Sequence, residues 1–243
     1  MVIDGHFHFH YSTRTQDREM LSQLPIIEKI RKKNSLDKIL SVIPLENSGI
    51  LNYLKNYSYF YPGVYIFIED YKKELIEEIK KFNFVKIQHW LSMPYLLPEN
   101  LENLFLDSIS IGKKKFQIHT ESINENNLGL IERFIKDYDV KIYLVHGVYA
   151  LYSYSSKIMP NELRKLEGNL FLGTSPFWGD IAEIPNFSLI KAVGDGLENM
   201  IVFESDFILD YKDSFYDSTL ESVRNSVGEN VKILNENIKR FLE

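Results

Sequence analysis

The feature that most constrains this chain is an eightfold alternation of short apolar runs and amphipathic segments along its whole length. Each run is rich in β-branched and aromatic residues, which predicts a strand, and each following segment repeats its apolar residues at helical spacing. The predicted strands cover residues 2–6, 38–43, 63–68, 84–88, 116–119, 140–146, 169–173 and 200–205. The predicted helices cover residues 24–33, 48–56, 71–81, 98–111, 124–138, 160–167, 185–193 and 220–227, with a last helix over 229–242.

Repeated strand–helix units of this size predict an α/β fold with a parallel sheet. Eight units match a (β/α)8 TIM barrel, whereas doubly wound open sheets more often have about five to seven strands. No Gly/Ser-rich or Pro-rich stretch interrupts the alternation. We therefore predict one domain over residues 1–243, with its functional site at the C-terminal ends of the strands.

The composition excludes several classes of chemistry and of partner. The chain has no cysteine, so disulfides, thiolate ligands and thiolate nucleophiles are absent, and its six histidines become the main nitrogen ligands. A net charge of −6 argues against a general nucleic-acid partner. No apolar run approaches the roughly 18 residues of a membrane span, and the first residues lack a secretory signal. We expect a cytoplasmic protein with no membrane partner.

Histidines and an aspartate stand at the ends of separate predicted strands. His6 and His8 are two residues apart, so both side chains point to one face of an extended chain. His119 and His146 end the fifth and sixth predicted strands, and Asp206 follows the eighth. A single histidine at a strand end is more often structural, but these five residues converge at one face of a barrel. This placement predicts a metal site.

Other polar residues near the same strand ends are secondary candidates. Asp4 is in phase with His6 and His8 in an extended strand, so we expect it to orient the histidine rings. His89 follows the fourth predicted strand and serves either the substrate pocket or an ordinary loop, while His10 belongs to the first loop unless its strand continues.

The ordered set of residues resembles the metal-dependent amidohydrolase superfamily, in particular its amidohydrolase-2 branch of TIM-barrel hydrolases. The resemblance rests on His6-x-His8 within Ile-Asp-Gly-His-Phe-His, on His119 and His146, and on Ser205-Asp206-Phe207. The C-terminal Ile-Leu-Asn-Glu-Asn-Ile-Lys-Arg-Phe-Leu is similar to the last helix of that family. His-x-His alone also occurs in other hydrolases, so the specificity lies in the order of the whole set.

The resemblance implies that His6, His8, His119 and Asp206 hold one divalent metal ion. It also implies that His146 either binds a second metal or acts as an acid or base beside a single one. Nitrogen and carboxylate ligands suit Zn²⁺ first, with Mn²⁺, Fe²⁺, Co²⁺ or Ni²⁺ as alternatives. Asp206 and His146 are therefore the predicted catalytic residues.

The fourth strand separates the branches of the family. Two-metal members often carry a carbamylated lysine there, which makes Lys86 a candidate for a second metal or for substrate, as is His89. DNase-like members carry a glutamate, which residues 84–89 lack, so that branch and nucleic-acid cleavage are disfavoured. We favour a single metal. Glu204, which replaces the common glycine before Ser205-Asp206, lies below the metal or forms an ion pair with Lys86.

The resemblance and the ligand set predict hydrolysis of an amide, lactone or related C–N or C–O bond in a small molecule. Two alternatives stay open: a metal-dependent, non-oxidative decarboxylase of an aromatic or unsaturated acid, and a non-catalytic metal-binding barrel. A homodimer is expected from the family alone. The candidate pocket residues are Tyr11, Arg14, Trp90, Tyr149 and Trp178.

Overall fold

The strands of the computed structural model form one parallel sheet. The residues that it describes are 2–8, 21–88, 98–120, 125–152, 158–175, 186–208 and 213–243. The strands are β1 (Val2–His8), β2 (Leu36–Pro44), β3 (Phe60–Phe67), β4 (Phe84–Gln88), β5 (Lys115–His119), β6 (Lys141–Val145), β7 (Leu170–Gly173), β8 (Ile201–Val202) and β9 (Phe207–Ile208).

The sheet closes because its first strand pairs at both edges. The order is β8-β7-β6-β5-β4-β3-β2-β1-β9; β8 lies within the eighth predicted strand, and β9 follows that strand at residues 207–208. The N–H of Gly5 donates to the Phe203 carbonyl (2.9 Å), and the N–H of Asp206 donates to the His6 carbonyl (3.1 Å). The predicted (β/α)8 TIM barrel is therefore confirmed.

Helical segments follow the strands around the barrel. The α-helices are α1 (Leu24–Asn34), α2 (Leu51–Leu54), α3 (Ile76–Ile79), α4 (Pro98–Ser110), α5 (Glu125–Tyr138), α6 (Gly147–Leu151), α7 (Pro160–Arg164), α8 (Phe187–Gly194), α9 (Asp213–Val227) and α10 (Asn237–Leu242). Short 3₁₀ turns cover Leu45–Ile50, Ile68–Asp70, Lys73–Leu75 and Glu198–Met200, and a π-helical turn covers Lys232–Glu236. None of the helices in the described part is long and apolar enough to cross a membrane.

Alternation along the strands separates the barrel interior from the layer under the helices. On β4, Val85 and Ile87 belong to the large outer core, whereas Phe84 belongs to the smaller interior core. Lys86 has the same parity as Phe84 and is fully buried, so its side chain points into the barrel.

The C-terminal helix seals the N-terminal end of the barrel. Phe241 of α10 packs against Phe84, Tyr143 and Phe171, with ring centroids 5.6–6.4 Å apart. The ammonium groups of Lys115 and Lys141, at the starts of β5 and β6, bind the carbonyls of Leu242 and Arg240. Positively charged groups at these carbonyls interact favourably with the negative end of the helix dipole. The C-terminal ends of the strands therefore lie at the end of the barrel opposite this helix.

Candidate metal centre

Three donor atoms, from β1 and from the segment between β8 and β9, form a small triangle at the C-terminal end of the barrel strands. The Nε2 atoms of His6 and His8 are 3.0 Å apart. Asp206 Oδ1 lies 3.5 Å from His6 Nε2 and 3.3 Å from His8 Nε2. These residues form a group whose ligand atoms could hold one metal ion.

Hydrogen bonds fix the proton of His6 on the ring nitrogen that faces away from the triangle. The side-chain amide of Gln117 donates to the Gly5 carbonyl (2.7 Å), so its oxygen must face His6 Nδ1, which is 2.9 Å away. Nδ1–H therefore donates to Gln117 Oε1, and Nε2 presents a lone pair to the triangle. Burial lowers the pKa of His6 well below its usual value, and the nearby charge of Lys86 adds to the effect, so the ring is neutral.

The donor set fits a divalent transition metal. Two nitrogens bound about 2.0–2.1 Å from one zinc ion at tetrahedral angles would lie about 3.3 Å apart, within the range of separations seen here. A ligating histidine normally donates its second N–H to a nearby acceptor, as His6 does to Gln117. The structure thus brings His6, His8 and Asp206 together as one candidate ligand group.

Asp206 reaches the triangle through an uncommon backbone conformation. Its φ of +49° lies in the left-handed region, which divides the eighth strand and turns the carboxylate toward β1. Burial raises the pKa of Asp206, but His146, His8 and Lys86 together lower it below its usual value. The carboxylate is therefore ionised and available as a ligand or proton acceptor.

The expectation that Asp4 orients the histidine rings is wrong. A β-bulge between Asp4 and Phe7 shifts the register, so Asp4 is out of phase with His6 and His8. Its carboxylate instead accepts the N–H of Ser205 (3.0 Å), the Ser205 hydroxyl (2.6 Å) and the N–H of His6 (3.2 Å). Asp4 therefore joins β1 to the segment that carries Asp206, and burial raises its pKa to about 7.

The two later histidines lie beside the triangle. His146 Nε2 is 3.8 Å from Asp206 Oδ2, whereas His6 and His8 face the other carboxylate oxygen, Oδ1. His119 packs edge-on against His146, with ring centroids 5.0 Å apart, and does not belong to the three-residue group. Its role as a fourth ligand stays a prediction.

Glu204 occupies a buried hydrogen-bonded cage under His146. Its Oε1 accepts the N–H of His146 (2.7 Å), the N–H of Ser175 (3.2 Å) and the hydroxyl of Ser175 (2.6 Å). Its Oε2 lies 2.6 Å from the Tyr143 hydroxyl. Of the two sequence alternatives, the position below the candidate metal centre is therefore the one observed. Burial raises the pKa of Glu204 to about 7.

Glycine at position 173 makes room for this glutamate. A Cβ on Gly173 of β7 would lie 2.1 Å from the carboxyl carbon of Glu204. A side chain at 173 and the observed Glu204 conformation are therefore incompatible.

Lys86 is the buried cation nearest to this network. Its Nζ has no hydrogen-bond partner among the described residues, and the alternative of a hydrogen-bonded pair with Glu204 is not observed. Burial lowers the pKa of Lys86 to about 7, although the charges of Asp206 and Glu204 act in the opposite direction. The role of Lys86 as a candidate for a second metal stays a prediction.

Several site residues were not predicted from the sequence. Gln117, Ser175 and Tyr143 belong to no motif; for Gln117 and Tyr143 the available signal is a polar residue at an interior position of a predicted strand, whereas Ser175 follows the seventh predicted strand. Among the candidate pocket residues, Tyr149 on α6 is partly exposed. The remaining sequence candidates lie outside the described residues: His10, Tyr11, Arg14, His89, Trp90 and Trp178.

Comparison with known proteins identifies two solved structures with this architecture. A probable 2-pyrone-4,6-dicarboxylic acid hydrolase from Acinetobacter baumannii, solved with citric acid bound, is 16% identical, with a TM-score of 0.65 over 99% of this chain and 98% of its own. Amidohydrolase 2 from Bifidobacterium longum subsp. infantis is 14% identical, with a TM-score of 0.59 over 99% of this chain and 98% of its own. No protein-family model and no curated protein matches the sequence.

The two structural matches agree with the resemblance that the histidine and aspartate pattern suggests. They cover the chain from end to end, including all the strands that carry the candidate metal centre. At these identities the likeness concerns the fold. The chain is therefore a (β/α)8 barrel of the kind seen in amidohydrolase 2 and the probable pyrone dicarboxylic acid hydrolase.

Proposed function

We propose that this protein is a metal-dependent hydrolase that cleaves an amide, lactone or related C–N or C–O bond in a small molecule. The observation that carries the proposal is the triangle of His6 Nε2, His8 Nε2 and Asp206 Oδ1, with separations of 3.0–3.5 Å. Its position at the C-terminal ends of the strands supports the proposal, because active sites of this fold lie there.

His6, His8 and Asp206 would hold one divalent ion, with Zn²⁺ as the first candidate. Such an ion lowers the pKa of water to about 7 and polarises a carbonyl group. The ring of His6 is already oriented to offer Nε2 as a ligand, because its Nδ1 is hydrogen-bonded to Gln117.

The two carboxylate oxygens of Asp206 face different histidines and would have different roles. Oδ1 faces the two histidines, and Oδ2 faces His146 Nε2 at 3.8 Å. Oδ2 is placed to accept the proton of the attacking water and to pass it to the leaving nitrogen or oxygen. At 3.8 Å Asp206 Oδ2 and His146 Nε2 are too far apart for a direct hydrogen bond, so each is available to a reacting group at the site.

A structural neighbour points to a class of substrate for this proposal. One similar structure is described as a probable hydrolase of a pyrone dicarboxylic acid and holds citric acid. Lactones that carry carboxylates are therefore the first substrates to test. The buried ammonium of Lys86 would favour such an anion electrostatically.

The test is a hydrolysis screen with metal-loaded protein. We would incubate it with pyrone carboxylates, simple δ-lactones, aryl amides and aryl esters, and follow acid release with a pH indicator. We expect turnover of at least one class, loss of turnover after chelation, and recovery on adding Zn²⁺. Release of CO₂ from hydroxybenzoate-type acids with no hydrolysis would replace the proposal with the decarboxylase, and no turnover of either kind would favour a non-catalytic barrel.

A further inference from the structure

The buried Glu204 cage has a consequence for the ring of His146. His146 N–H and Ser175 N–H both donate to Glu204 Oε1. Backbone N–H groups can only donate, so Oε1 is an acceptor whether or not the carboxyl group carries a proton. Burial raises the pKa of Tyr143 well above its usual value, so Tyr143 stays protonated beside the other oxygen.

The hydroxyl of Ser175 can then donate its hydrogen bond to only one of its two neighbours. It lies 2.6 Å from Glu204 Oε1 and 2.8 Å from His146 Nδ1, and it has a single hydrogen. Because Oε1 is an acceptor, the hydroxyl donates there, and Ser175 Oγ can only accept from the histidine ring. The Ser175 carbonyl oxygen, 3.3 Å from Nδ1, is a second acceptor on the same side.

We infer that Ser175, held by Glu204, keeps the neutral form of the His146 ring in the Nδ1–H tautomer, so that in this form His146 Nε2 presents a lone pair toward Asp206. Ser175 and Glu204 are positioning residues, since neither faces the candidate metal centre and both act through His146. Resting on the proposed function, this arrangement makes His146 a ligand or a proton acceptor at the start of the reaction, and it can return a proton only after it has taken one.

The arrangement belongs to this chain's own sequence. Glu204 occupies a position at which the family that this sequence resembles commonly has glycine. Gly173 leaves the space that the glutamate side chain fills. The backbone conformation of His146 contributes to the same arrangement. Its φ of +61° is left-handed, which lets its N–H reach Oε1 at 2.7 Å while its ring reaches Ser175.

The test is the ¹⁵N NMR spectrum of the histidine rings, with His146 assigned by the signal lost in a His146→Gln variant. Long-range ¹H–¹⁵N correlations distinguish a protonated ring nitrogen from one with a lone pair. We expect Nδ1–H in the wild-type protein, both as purified and after EDTA treatment. A neutral wild-type His146 ring that carries its single proton on Nε2 would overturn the inference without any variant.

Variants separate the hydroxyl's role from simple packing. Ser175→Ala should lower the preference for Nδ1–H by up to about tenfold, the population ratio that one net hydrogen bond supports. Glu204→Gln should retain the tautomer, because the two backbone N–H groups select the amide oxygen for the Oε1 position. Ser108→Ala, which removes another buried hydroxyl on α4, should leave the spectrum unchanged. A spectrum of Ser175→Ala identical to that of the wild type would contradict the inference.

The outcome is separable from that of the proposed function. A protein that shows the Nδ1–H tautomer but neither binds metal nor hydrolyses any substrate retains this inference and loses the proposed function. A hydrolase whose His146 carries its proton on Nε2 does the reverse.

Discussion

The side chain of Gln117 on β5 fixes the orientation of His6 on β1 across the barrel. Its amide donates to the Gly5 carbonyl at 2.7 Å, and its oxygen lies 2.9 Å from His6 Nδ1. One glutamine therefore sets both the rotation of the ring and the nitrogen that carries the proton.

Replacing Gln117 should weaken metal binding more than it weakens the fold. We expect Gln117→Leu to lose about 10–100-fold in metal affinity, as is typical when the partner of a ligating histidine is removed. Gln117→Glu keeps an acceptor for Nδ1–H and should lose less. Competition with a chelating dye measures both affinities, and equal affinity for Gln117→Leu and wild type would contradict the role of Gln117.

Asp206→Asn should remove turnover while preserving the fold. Asparagine tolerates the left-handed backbone at this position, but it cannot accept the proton of the attacking water. We expect a loss of about 10²–10⁴-fold in kcat, the range for a general base. Asp139→Asn is a matched control, because Asp139 also has a positive φ and lies outside the site. Turnover within a few-fold of wild type in Asp206→Asn would contradict the mechanism.

Gly173→Ala should destabilise the protein because the new methyl group meets the carboxyl group of Glu204. Overpacking of this kind costs about 1–3 kcal/mol in the free energy of unfolding. The same change should cost less in a Glu204→Gly background, where the clash is absent. Gly129→Ala on α5 meets no neighbouring atom and serves as the control. Chemical denaturation of the four variants measures the coupling, and strictly additive costs would contradict the packing argument.

Lys86→Met should stabilise the protein in a pH-dependent way. The pKa of Lys86 is about 7 in the folded chain and 10.5 in the reference state, so between these values the unfolded chain binds more protons. Wild-type stability therefore rises with pH through this window, and the penalty for the buried charge is full below pH 7.

We accordingly expect Lys86→Met to exceed wild type by about 1–4 kcal/mol near pH 6, with the difference shrinking toward pH 10. Lys55→Met, at an exposed position, should show no such trend. A difference that is the same at both pH values would contradict the buried-charge account. Loss of bound metal in Lys86→Met would instead identify Lys86 as a ligand.

Most of the barrel was predictable because strand and helix periods alternate cleanly. The fourth strand, predicted over residues 84–88, is found at Phe84–Gln88. The eighth was predicted over residues 200–205, but only Ile201–Val202 (β8) is found as a strand in that range, and β9 follows at Phe207–Ile208. Hydrophobic alternation cannot report the positive φ of a single residue such as Asp206, which lies between β8 and β9.

The candidate site was predictable where the ligand chemistry is visible in the sequence. His6, His8 and Asp206 stand at strand ends, and the structure places them together. The role of Asp4 was wrong because a β-bulge shifts its phase, and strict alternation cannot anticipate a bulge. Gln117 and Ser175 were missed because their roles depend on contacts between distant strands.

The most direct test of the central claim is metal analysis of tag-free protein by mass spectrometry, for wild type and a His6→Ala/His8→Ala variant. We expect about one equivalent of divalent metal, zinc first, in wild type and almost none in the variant, with both proteins folded by circular dichroism. His119→Ala in the same series tests the predicted fourth ligand. Wild-type protein that binds no divalent metal, or a double variant that retains its full content, would contradict the metal centre.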